Sequence, residues 1–122
     1  MNFDFTDEQN ALRSMVSEFA ADRIAPHALQ WDEDHHFPSK TVREMGELGL
    51  FGITADEQWG GAGGDLTSLC IAIEELARAD QSMAITLEAG VGLLLSHAEP
   101  VELVEAVAFA HADIHPSFRK EV

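Results

Sequence analysis

The sequence predicts an all-α domain, a small bundle of four main helices. Three observations carry that reading. Apolar residues recur at steps of three or four across residues 12–31. A glycine-rich loop over residues 60–64 runs into Asp65 and a second amphipathic stretch that ends at Ala79. The short apolar run over residues 50–53 has no neighbouring segment that would pair with it as a strand.

The first helix begins at a capping box. In Thr6-Asp7-Glu8-Gln9 the Thr6 hydroxyl is placed to accept from the Gln9 amide while the Gln9 side chain reaches back. Leu12, Met15, Val16, Phe19, Ala20, Ile24, Ala28 and Trp31 then form one apolar stripe. Pro26 falls within it and is expected to kink the helix or divide it, because its ring clashes with the carbonyl four residues back. Pro38-Ser39-Lys40 opens a second, shorter helix with Val42, Met45 and Leu48 inward, and Gly49 supplies a left-handed stop. Residues 50–53 read as an extended apolar plug. The third helix runs over residues 65–79 with Asp65 as N-cap, burying Leu66, Leu69, Ile73 and Leu76, with Cys70 as a core thiol. Glu75 and Arg78 are placed on its outer side, a surface pair worth roughly 0.2–0.5 kcal/mol. Ser82 is expected to cap the fourth helix, over residues 83–96, whose small-residue face is Ala84, Glu88 and Gly92. Residues 100–112 can form a further helix that is apolar nearly all round.

Composition limits the partners. A chain of 122 residues is enough for one domain with one core, and a net charge of −15 argues against a nucleic-acid backbone or an anionic membrane surface. No Lys or Arg occurs between Arg78 and Arg119, so the second half offers no cationic stripe. The lone Cys70 excludes an internal disulfide and fits a reducing cytoplasm. The acidic start lacks the apolar core of a secretory signal, and Glu88, His97 and Glu99 interrupt the longest apolar run below bilayer length.

Each suggestive group has a plainer reading beside it. The glycine loop lacks the G-x-x-x-x-G-K-S/T pattern and a preceding strand, and Asp65 would repel phosphate, so it reads as a tight turn. His111 and His115 stand four apart, yet Pro116 disfavours helix there and no third ligand is evident, so no metal site is expected. His35-His36 reads as a polar turn, and Trp31 and Trp59 as packing anchors. Glu74 and Glu75 point about 100° apart on a helix and form a solvated flank rather than a carboxylate pair. Glu88, between apolar Leu87 and Ala89, is expected to be partly buried, with its pKa raised by desolvation. It reads first as a rim or inter-domain contact and only second as a catalytic group.

Taken in order, Phe5-Thr6-Asp7-Glu8-Gln9, Glu47-Leu48-Gly49-Leu50-Phe51-Gly52-Ile53, Trp59-Gly60-Gly61-Ala62-Gly63-Gly64-Asp65 and Glu74-Glu75-Leu76-Ala77-Arg78-Ala79-Asp80 closely resemble the N-terminal helical domain of acyl-CoA dehydrogenases. The likeness covers roughly residues 3–93. The resemblance implies a flavoenzyme of three parts, this helical domain, a middle β-domain and a C-terminal four-helix bundle, assembled as a dimer or tetramer. It implies FAD as cofactor, an acyl-CoA substrate, and a carboxylate that takes the α-proton while the β-hydride passes to the flavin. By position along the fourth helix it assigns Glu88, Ala89 and Gly92 to the distal end of the acyl-chain cavity, with glycine at 92 leaving room for a longer or bulkier chain. The family's flavin-contacting Thr-Glu-Pro…Gly-Ser-Asp signature does not occur after residue 93, and its catalytic base belongs to a region with no counterpart here.

The expectation is therefore a family domain over residues 1–96 and a diverged helix and tail over residues 97–122. The chain is expected to be a truncated dehydrogenase, inactive and without FAD when alone. The alternative is a non-catalytic binding or assembly module, as a homo-oligomer or as one subunit of a split flavoenzyme.

Overall fold

The computed structural model describes residues 1–97, and these are helical throughout their ordered elements. In chain order they are α1 (Asp7–Phe19), a π turn (Ala20–Ile24), α2 (Ala28–Glu33), α3 (Ser39–Glu47), two 3-10 turns (Leu50–Gly52 and Glu57–Trp59), α4 (Leu66–Ala79) and α5 (Gln81–His97). The helix expected over residues 100–112 and the His111/His115 pair lie outside the described residues.

The start of α1 is the capping box the sequence predicts. The Gln9 amide donates to the Thr6 hydroxyl at 3.1 Å and the Thr6 amide donates to Gln9 Oε1 at 3.0 Å. Pro26 divides the helix rather than kinking it. The ladder widens into the π turn, where the Ala25 amide donates to the Ala20 carbonyl at 2.9 Å, and α2 starts afresh two residues after the proline. Gly49 takes the left-handed conformation at φ 79°, which ends α3 as expected.

α4 is the central element, packed on α1 along one side and on α5 along the other. Val16, Ala20, Ile24, Met45, Leu50, Ile53, Leu69, Ala72, Leu76, Met83, Ala84, Leu87 and Val91 form one continuous core. Each fully buried Leu or Ile in it contributes about 1.5–3 kcal/mol relative to exposure. Residues 50–53 do plug this core, but as a 3-10 turn and not as extended chain. A tight turn lets Leu50 and Ile53 point the same way within four residues.

Helical geometry accounts for the other departures from the sequence reading. At about 100° per residue, with Ala72 as the centre of the buried face of α4, Leu69 and Leu76 fall within about 60° of it. Glu75 lies about 60° away on the other flank and is therefore buried; Leu66 lies about 120° away and Cys70 about 160° away, and both are exposed. Glu75 is thus not on the outer side. Its carboxylate accepts from Arg13 Nε at 2.9 Å, and the guanidinium of Arg78 sits 3.8 Å from it. Arg78 makes its shorter bond, 2.6 Å, to Glu74 one turn earlier. Leu48, the C-cap of α3, is exposed rather than inward because the helix has already ended there.

Asp80 is the whole break between α4 and α5. Its extended backbone (φ −159°, ψ 118°) stops one helix, and its carboxylate accepts from the Ser82 amide at 2.8 Å. Asp80, not Ser82, therefore caps α5. The carboxylate is the stronger acceptor for the positive end of the helix.

Candidate functional site

The glycine loop is built by its own backbone bonds. Five successive amides are spent on carbonyls of the preceding turn: Gly60 on Glu57 (3.0 Å), Gly61 on Asp56 (3.1 Å), Ala62 on Gly52 (2.9 Å), Gly63 on Ala55 (2.8 Å) and Gly64 on Ile53 (2.7 Å). A Cβ on Gly61 would meet the Ala55 carbonyl oxygen at 2.1 Å, so only glycine permits that approach. With every one of these N–H groups engaged, the loop has nothing to offer a phosphate. The turn reading of the loop holds.

The loop delivers Asp65 to the start of α4. The Asp65 carboxylate accepts from the amide and the hydroxyl of Ser68, both at 2.8 Å, and from the Gln9 side chain at 3.2 Å. Hydrogen bonding from Ser68, backbone first, holds its carboxyl below the ordinary value of 3.8. Gln9 thereby closes the cap of α1 with its oxygen and reaches the cap of α4 with its nitrogen.

Along α5, Met83, Ala84, Leu87 and Val91 face the core. Taking Leu87 as the centre, Glu88, Ala89 and Gly92 fall at about 100°, 160° and 140° from it, on one outward sector that also holds Ile85. All three residues assigned from the resemblance thus share an exposed strip. Glu88 is exposed and not partly buried as expected, because it lies on the outward side of α5. The face expected from Ala84 through Glu88 to Gly92 does not stay on one side either. Steps of four advance about 40° each, which carries it from the core at Ala84 to solvent at Gly92. An added Cβ at Gly92 would meet nothing within 4 Å, and Ala89 adds only a methyl, so a flat or linear group can lie close against this part of α5.

Two cavities lie elsewhere, on either side of Trp31 and Pro38. One, of about 380 Å³, is lined by Arg23, His27 and residues of the first turn of α3; the other, of about 280 Å³, reaches Asp80, Met83 and Thr86. Neither includes Glu88, Ala89 or Gly92. Sequence reading missed both, because their walls come from four segments with no shared spacing. Among the described residues no group of three or more His, Cys, Asp or Glu side chains is placed to hold a metal ion. No helix among them is long and apolar enough to cross a membrane.

Among the described residues this arrangement defines a helical domain with a closed core, a structural glycine loop and an exposed strip along α5. Its relatives specify it further. The sequence model of the acyl-CoA dehydrogenase N-terminal domain matches residues 6–99. The probable acyl-CoA dehydrogenase YngJ of Bacillus subtilis is 46% identical over 93 residues, which are 76% of this chain and 24% of that protein. The short-chain specific acyl-CoA dehydrogenase of Clostridium acetobutylicum is 41% identical over 79% of this chain and 25% of its own length. The solved structure of butyryl-CoA dehydrogenase from Megasphaera elsdenii superposes with a TM-score of 0.80 at 30% identity, over 88% of this chain and 31% of that one. The chain belongs to the acyl-CoA dehydrogenase family through its N-terminal helical domain. It spans about a quarter of the length of the curated relatives it matches.

Proposed function

We propose that the described helices form one wall of the acyl-chain cavity of an FAD-dependent acyl-CoA dehydrogenase, with Glu88, Ala89 and Gly92 at its distal end. The observation that carries the reading is the outward sector of α5, where these three residues are exposed together and an added Cβ at Gly92 meets no neighbour. A saturated acyl chain needs an apolar wall without projecting side chains, and Ala89 and Gly92 supply that. Glu88 borders it as the ionisable group of the strip and serves as a rim contact to another domain.

The reaction class is α,β-dehydrogenation of an acyl-CoA thioester, with the α-proton passing to a carboxylate and the β-hydride to flavin. The described residues do not fit the flavin themselves. The glycine loop amides that would suit a pyrophosphate are all bonded internally. No step is therefore assigned to residues 1–97. The base and the flavin contacts belong to other domains, carried on the same polypeptide or on another. We place the working complex in a reducing cytoplasm, which suits the free, exposed Cys70.

Purified 122-residue chain, desalted after incubation with FAD, is expected to show no flavin absorbance and no dehydrogenation of acyl-CoA. Stoichiometric flavin retained through desalting overturns the division of labour proposed here.

A further inference from the structure

The cavity of about 380 Å³ between the π turn, α2 and α3 is basic within an acidic chain. It is lined by Arg23, His27, His36 and Lys40, with Glu44 as its one carboxylate, in a protein of net charge −15 that carries only 7 Lys and Arg. Glu44 is already taken by Arg23, whose Nη2 donates to it at 3.0 Å, which leaves Lys40 without an ion pair among the described residues.

The first turn of α3 forms one wall of this cavity. Pro38 stands at the N-cap and provides no side-chain acceptor, and the amides of Lys40 and Thr41 donate to no carbonyl among the described residues. Ordinary helices satisfy these donors with a Ser, Thr, Asp or Asn cap, as α1 and α4 do here. Thr41 adds an independent sign. It is 8% exposed, it lines the cavity, and its hydroxyl has no hydrogen-bond partner among the described residues. That hydroxyl is not sealed in the core and is open to the cavity, where a ligand oxygen can meet it.

We propose that this cavity binds the phosphate group of a small soluble phosphate ester. The Lys40 and Thr41 amides, the Thr41 hydroxyl and the Lys40 ammonium form a set of donors with no acceptor of their own. The positive end of α3 lies behind them. A tetrahedral dianion satisfies more of these donors at once than a planar carboxylate does. The volume leaves room beside Trp31 and His27, whose rings stack at 5.6 Å, for a small organic body on the phosphate.

The test is an NMR titration of the full 122-residue chain with inorganic phosphate and, separately, with glycerol 3-phosphate. Sodium chloride at matched ionic strength and sodium acetate serve as controls. The expected result is saturable movement of the Lys40 and Thr41 amide signals with both phosphates and with neither control. Lys40→Met is expected to weaken binding about tenfold, the loss of one charge-assisted hydrogen bond. Thr41→Val is expected to weaken it less. Both variants are checked for an otherwise unchanged spectrum. Amide movements that fail to saturate, that chloride reproduces, or that persist at equal affinity in both variants overturn the proposal. Equal affinity for acetate overturns its restriction to phosphate.

Discussion

Glu75 shows what a single residue contributes beyond its type. It sits within the packed surface between α1 and α4 at 4% exposure, and its charge is met there by Arg13 from the facing helix. Arg13→Ala removes the closer of its two cations and leaves a buried carboxylate with Arg78 at 3.8 Å. The expected cost is about 1–2 kcal/mol, read as a lower urea midpoint at unchanged slope. It stays below the full penalty for orphaning a buried charge because Arg13 is itself 42% exposed. The double variant Arg13→Ala/Glu75→Leu is expected to recover most of that loss, since nothing charged is then left buried. At this scale the sequence was legible where spacing decides and illegible where a partner does. The core positions Val16, Ile24, Leu69 and Leu76 follow from periodicity alone, whereas the burial of Glu75 needs the knowledge that Arg13, 62 residues away, faces it.

At the scale of elements, the glycines divide into two kinds that the sequence does not separate. Gly61 is held against the Ala55 carbonyl and Gly92 faces open space. Gly61→Ala is expected to disrupt the loop and lower stability sharply. Gly92→Ala is expected to raise stability by about 1 kcal/mol, because alanine is the better helix former at an exposed position. Thermal melts of the two variants side by side check both. The cap of α4 gives a pH prediction. Hydrogen bonds from Ser68 depress the Asp65 carboxyl below 3.8, so the folded state holds its proton less tightly than the unfolded chain does. The stabilisation from this cap is complete above 3.8 and is lost as pH falls through the lower folded value. Asp65→Asn keeps an acceptor at the cap, so its urea midpoint is expected to fall less than that of the unaltered protein over that acidic range. The caps at Thr6 and Asp65 and the stop at Gly49 were readable from local sequence because each acts within a few residues. The cap of α5 was misread, since Asp80 and Ser82 both suit the role and only the backbone shows where the helix begins.

For the whole molecule, the family likeness and the packing agree. α4 lies between α1 and α5, a closed core holds the three together, and the outward sector of α5 remains open. The order of four motifs made the family recognisable, but the two cavities beside Trp31 could not be foreseen, because one arises where the π turn, α2 and α3 meet and the other where α2 and the segment after it meet the start of α5. The proposed function makes Gly92 and its neighbours the distal wall of an acyl-chain cavity whose chemistry is supplied elsewhere. Its most direct test is a chimaera in which residues 1–96 replace the matching N-terminal domain of the Bacillus subtilis relative that is 46% identical. The activity profile of this chimaera over acyl-CoA chain length is compared with that of the same chimaera carrying Gly92→Leu. The chimaera is expected to be flavin-loaded and active, with its preference moving to shorter chains when leucine is introduced. A folded, flavin-loaded and active chimaera whose chain-length profile is identical with glycine and with leucine at that position would contradict the proposed function.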